Sequence, residues 1–186
     1  MKQTTIFTVL VLILSGCSLT AEKNSVSNPD QSEQPIGKKF FEYDQIQHYL
    51  NNIEEKNLGE LNDNQSRSEL DSIKRGVVLG NIPKDMSDLS FIDQLEKIGY
   101  SKREVHKSKF EAIDKIFAEK SVDEMVWADC KHVYRDVLLF RKNSKIIGVA
   151  KICFSCRSNI IIGTTANTEN FGQNGDYEKL EKTLKK

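Results

Sequence analysis

The chain has 186 residues, 38 % of them hydrophobic and 29 % charged, with 27 Lys and Arg set against 27 Asp and Glu. That balance supplies no positive footprint for nucleic acid, and no internal stretch is long and apolar enough to span a membrane. The N-terminus reads MKQTTIFTVLVLILSGCSLT. Lys2 precedes an apolar stretch from Ile6 to Leu14, interrupted by Thr8, and small residues then lead to Cys17. The stretch is far shorter than the roughly 20 residues a spanning helix needs. A charged start, a short apolar core and a small-residue cleavage site predict a secretory signal peptide over residues 1–16.

Leu14-Ser15-Gly16-Cys17 resembles the lipobox of bacterial lipoproteins. The resemblance implies thioether diacylation of Cys17, cleavage before it, and acylation (typically by palmitate) of the new amino terminus. One acyl chain anchors only marginally and stable attachment takes two signals, so a three-chain lipid on Cys17 is a firm membrane anchor. Ser18 stands where an Asp tends to retain such proteins in the inner membrane, which points to the outer membrane. Residues 17–38 then read as the lipidated cysteine and a disordered tether, rich in Ser, Asn, Gln and Glu and poor in apolar residues. About 20 flexible residues have an r.m.s. span of roughly 25 Å, enough to hold a domain clear of the headgroups.

Residues 39–186 are expected to form a single α+β domain, with N-terminal helices packed on a C-terminal antiparallel β-meander and a short C-terminal helix. Tyr43, Ile46, Leu50 and Ile53 recur at helical spacing in FFEYDQIQHYLNNIEEKN. A second helix carries Leu70, Ile73 and Val77, and Gly80 and Pro83 follow it. Ser87 opens a third with Leu89, Ile92, Leu95 and Ile98, which Gly99 ends. Ser101 and Glu104 have capping-box spacing for a fourth, with Phe110, Ile113 and Phe117 inward.

From Val122 the period changes to two. HVYRDVLLFRK and KIIGVAKICF read as strands joined by a turn at Lys142-Asn143-Ser144, and NIIIGTT as another strand. A polar loop with Gly172 and Gly175 leads to Asp176, which caps the helix YEKLEKTLKK.

Cys17 aside, Cys130, Cys153 and Cys156 remain. The strand pairing puts Cys130 at the start of one strand and Cys153 at the end of its partner, so all three gather at one end of the sheet. Cys153-x-x-Cys156 at a hairpin tip resembles a zinc knuckle, and Cys130 with His132 completes a Cys3His set suited to tetrahedral zinc. Cys-x-His on a strand is, however, a poor second knuckle. A redox dithiol is another reading, but Arg157-Ser158-Asn159 leads into a strand and not into the helix N-terminus that lowers a thiol pKa. Outside the cytoplasm, as in the periplasm, thiols oxidise. The favoured expectation is a disulfide from Cys130 to either Cys153 or Cys156, with the third thiol buried or free. Closing such a loop of about 25 residues is worth roughly 3 kcal/mol.

No catalytic set competes. The histidines are His48, His106 and His132, and His48 is expected within a helix as a satisfied interfacial residue. Cys130 and His132 share a face if that segment is a strand, but lack a recognisable orienting group. The loop 167–175 reads as a surface connection. Ile146-Ile147-Gly148, the run Ala150 to Cys156, Asn167 to Gly172 and the closing helix are similar to small uncharacterised lipoproteins of Gram-negative bacteria, a resemblance that carries no activity with it. The expectation is a lipid-anchored envelope protein, non-enzymatic and without a cofactor, that binds an envelope partner. The alternative is a thiol-redox or zinc-binding protein using Cys130, Cys153 and Cys156.

Overall fold

The computed structural model describes residues 37–121 and 130–185. The leader, Cys17, the tether as far as residue 36, and the change of period at Val122 lie outside the described residues. What is described is an α+β domain. In chain order come β1 (Gln45–Asn51), α1 (Lys56–Asp63), α2 (Glu69–Val78), a 3-10 turn (Ser90–Gln94), β2 (Tyr100–Glu104), α3 (Phe110–Ile116), β3 (Asp136–Lys142), β4 (Lys145–Cys153), β5 (Ser158–Ile162) and α4 (Asp176–Lys185). The strands form one antiparallel sheet in the order β2-β1-β3-β4-β5.

The C-terminal meander β3-β4-β5 follows the period-two pattern, although β3 opens at Asp136 and not at His132, and the closing helix α4 starts at Asp176 as expected. Asn143 and Ser144 both take positive φ, at 48° and 64°, as a tight hairpin turn with the twist of its strands requires. Two strands come from the N-terminal half, and both correct a helical expectation. In β1, Ile46 and Leu50 are four residues apart, a spacing that keeps side chains on one face of a helix and of a strand alike. The residues between them decide the matter: Gln47, His48 and Tyr49 are buried too, so both faces of the segment are covered. A helix with one apolar stripe does not do that.

The capping-box spacing of Ser101 and Glu104 falls on β2, whose last four residues are exposed. A polar edge strand carries no apolar alternation to read, and its charges discourage pairing with another chain. The fourth helix starts later, at Phe110, after a short 3-10 turn in which the His106 side chain accepts from Ser108 N–H. The third expected helix is only the 3-10 turn. Gly99 nonetheless ends the turn over residues 95–99 that follows it, at φ 98°, with Tyr100 N–H donating to Leu95 O at 3.0 Å, the bond of a Schellman motif.

Helices cover both faces of the sheet. On one, Ile46, Leu138, Phe140, Ala150 and Ile152 pack with α3 and α4 around Phe40, Phe41, Phe117 and Phe171. Phe41 stacks on Phe140 with centroids 4.4 Å apart, and it reaches that position only because residue 148 is glycine: a Cβ there would lie 2.1 Å from the Phe41 ring. On the other face, Tyr49, Val137, Leu139 and Val149 pack with α1, α2 and Phe91. The chain enters at the foot of the sheet, where Lys39 bridges Ala118 and Lys38 Nζ donates to Thr165 Oγ1 at 2.8 Å.

Lys151, on the α2 side of β4, is fully buried. Its Nζ donates to Val77 O at 2.7 Å, Gly80 O at 2.8 Å and Ile82 O at 2.7 Å, and lies 4.5 Å from the centre of the Tyr134 ring. These carbonyls belong to the last turn of α2 and the bend after it, groups that a helix end leaves without internal partners. Three acceptors ask for three N–H donors, which an ammonium has and an amine lacks. Burial works the other way and draws the pKa down to about 7.

Lys151→Met should lower the unfolding free energy by about 3 kcal/mol or more, because it orphans three buried carbonyls at once; urea denaturation measures this. With a folded pKa of about 7 against an ordinary 10.5, the unfolded chain holds more protons across that interval. The Lys151 contribution therefore rises as pH is raised from 7 toward 10.5, so the stability advantage of wild type over Lys151→Met should widen across that interval, whereas a flat or narrowing difference would rule the shift out.

Candidate functional site

At the far end of the sheet from the chain's point of arrival, β1 finishes beside the start of β3, with Leu50 opposite Asp136 and His48 opposite Leu138. His48 and Asp136 share a face, 1 % and 7 % exposed. His48 Nε2 lies 2.7 Å from Asp136 Oδ1, and Arg103 on β2 donates its Nε–H to His48 Nδ1 at 2.8 Å. The arginine fixes the tautomer: Nδ1 accepts, so the ring proton sits on Nε2 and is donated to the carboxylate. A buried carboxylate thus orients an imidazole, and the imidazole orients an exposed guanidinium.

Arg103 and Asp136 border a cleft of about 350 Å³. Leu50, Phe154 and Leu184 give it apolar walls, while Arg103, Arg135 and Lys185 bring cations to it. Arg135 Nε donates to Ile53 O at 3.2 Å, and Lys185 is paired with Glu181 one turn back on α4.

The cysteines stand at the same end. Cys130 and Cys156 form a disulfide with Cα atoms 5.8 Å apart. Cys153 is unpaired and 1 % exposed; its Sγ accepts from Val133 N–H at 3.3 Å and packs in one cluster with Tyr134 and Cys156. Phe154 and Ser155, the two residues between Cys153 and Cys156, line the cleft. One end of that dipeptide is thereby held by a buried side chain and the other by a covalent bond.

His132 is exposed, its ring 6.2 Å from that of Tyr134. Residues 130–134 are not a strand, which corrects the shared strand face expected for Cys130 and His132. Tyr134 N–H donates to Val78 O at the end of α2, so the backbone is committed to a helix terminus before the ladder begins. Among the described residues no group of three or more His, Cys, Asp or Glu is placed to hold a metal ion, and no helix is long and apolar enough to cross a membrane.

No family model matches the chain, and neither a curated protein nor a solved structure does.

The Asp136-His48-Arg103 chain is absent from the expectations drawn from sequence. A histidine at a period-two position in QIQHYLN is its only local trace, and that becomes legible once the segment is taken as a strand.

Asp136→Ala should cost about 2 kcal/mol by leaving the buried His48 N–H without an acceptor, and Asp136→Asn, which keeps a carbonyl oxygen there, should cost less; thermal and urea unfolding compare the two. In the non-reduced protein a thiol reagent should leave the Cys130–Cys156 pair untouched and reach Cys153 only on unfolding. Rapid labelling of any cysteine in the body of the native domain is the contrary result.

Proposed function

We propose that this chain is a lipid-anchored envelope protein whose α+β domain is a non-enzymatic binding module held off the membrane by a tether. The observation that carries this reading is the motif Leu14-Ser15-Gly16-Cys17 at the end of a short apolar stretch. In it, residues 1–16 are removed, Cys17 carries the lipid, the spacer runs from there to Lys38, which is tied to Thr165 at the foot of the sheet, and Ser18 favours delivery to the outer membrane. The Cys130–Cys156 disulfide supports a compartment beyond the inner membrane, since such bonds persist where thiols are oxidised. The cleft supports the binding role. Arg103, Arg135 and Asp136 are held by hydrogen bonds and the Phe154-Ser155 wall by a cross-link, and concave sites of this size are where small ligands and short segments of a partner protein settle.

A second reading gives Cys130, Cys153 and Cys156 thiol or zinc chemistry. One observation favours it: the buried Cys153 thiol lies in the same cluster as the bonded Cys156. Cys153→Ser separates the two readings, because it removes the thiol and leaves the disulfide and the cleft in place.

Expression of the full chain in a Gram-negative host should give a membrane-bound product whose N-terminal peptide begins at a triacylated Cys17. Cys17→Ser should abolish the lipid and release the protein to the soluble fraction. A wild-type product that starts elsewhere, or that carries no lipid, would remove the basis of the assignment.

A further inference from the structure

We infer that the cleft at the end of the sheet takes a small ligand with an oxyanion head, a carboxylate or a phosphate, on a short apolar body. This rests on the reading of the domain as a binding module and names the chemistry of what it holds.

Arg103 is the first reason. Its Nε is spent on His48 Nδ1, and that ring is in turn held by Asp136, so the plane of the guanidinium is set from beneath. Its two terminal nitrogens have no partner among the described residues. Arginine engages carboxylate and phosphate through such paired N–H groups, with geometry that a lysine cannot reproduce. Arg135 is similarly tied through Nε, to Ile53 O, and also borders the cleft.

Charge is the second. Lys185 is neutralised by Glu181, and Asp136 has one oxygen occupied by His48. Among the groups that border the cleft, Arg103, Arg135 and Lys185 outnumber Asp136 and Glu181 by one cation. An incoming anion restores the balance in a partly desolvated place, where such complementarity fixes orientation and partner choice.

Shape is the third. Phe154, Leu50 and Leu184 supply apolar surface beside the arginines, and about 350 Å³ is at the small end of the range for small-molecule sites. The Phe154 wall is preorganised by the buried Cys153 and the cross-linked Cys156, which reduces the ordering cost of binding. The head belongs against the guanidinium of Arg103 and the body against Phe154.

The test uses the full chain in detergent with three probes: hexanoate, hexyl phosphate and 1-hexanol. Calorimetry gives affinities, and the ¹⁵N signals of the arginine Nε–H groups report the site. At least one acid should bind, at about millimolar Kd for so small a probe, and shift the Arg103 signal; which acid binds tighter identifies the head. Hexanol should bind about tenfold more weakly or not at all. Arg103→Gln should weaken the acid by about tenfold or more, and Arg103→Lys by less. Ser155→Trp, at an exposed position in the turn that lines the cleft, should block the acid while leaving the His48–Arg103 bond in place, and so provides a check that does not disturb β2. Equal binding of hexanol and the acids would overturn the oxyanion head while keeping a binding cleft. No binding of any probe, with no shift at Arg103, would overturn the cleft as a ligand site altogether.

Discussion

The pairing of β1 with β3 is the constraint on which the rest of the domain depends. It joins a segment near residue 48 to one near residue 138; of the described elements between them, α1, α2 and α3 pack on one face of the sheet or the other and β2 extends its edge. Because both strands are interior, their side chains are buried on both faces, which is what gives the sheet two hydrophobic layers from alternate residues of the same few strands. The register also sets the chemistry. Ile46 opposite Phe140 puts apolar against apolar at the foot of the pair, and the same alternation carried upward brings His48 and Asp136 onto one face at its head. A slip of one strand by one residue would turn its polar group to the opposite layer and part His48 from Asp136.

Two polar devices finish what that pairing begins. Lys151 ends α2 from across the core, using a side chain on a strand to meet carbonyls that local sequence leaves unsatisfied. Cys130–Cys156 ties the approach to β3 to the turn between β4 and β5. Both act on the segment just before β3, Lys151 through the ring of Tyr134 and the disulfide through Cys130 itself. The head of the sheet is thus fixed by a cation, a ring and a covalent bond, just beyond the last bond of the β1–β3 pair, from Asn51 N–H to Arg135 O.

How much of this was legible in the sequence depended on whether each signal was local. The hairpin at Asn143-Ser144 carries its own turn chemistry, the strands on either side of it are rich in β-branched and aromatic residues, and α2 carries Ile73 and Val77 at helical spacing. Strand β1 was not legible because Tyr43, Ile46, Leu50 and Ile53 fit a helix and nothing within the segment says that its other face is covered as well. Strand β2 was not legible because an edge held by a neighbour needs no apolar residues of its own. The cleft inherits both difficulties. Arg103 and His48 lie on the two misread strands, and Asp136 acquires meaning only when they are placed beside it. The cysteines were easier, since their gathering at one end follows from the hairpin alone, but the choice of Cys156 over Cys153 turns on which way each side chain faces at the strand's end.

Strand β1 also has a polarity. The chain arrives at its Gln45 end, and the cleft lies at its Leu50 end, one strand length or roughly 20 Å away. Any tension on the N-terminal segment would be delivered to the foot of the sheet, against β2 and β3 in shear, and not to the side chains that border the cleft. A ligand entering the cleft and a pull on the N-terminal segment would therefore act at opposite ends of one strand.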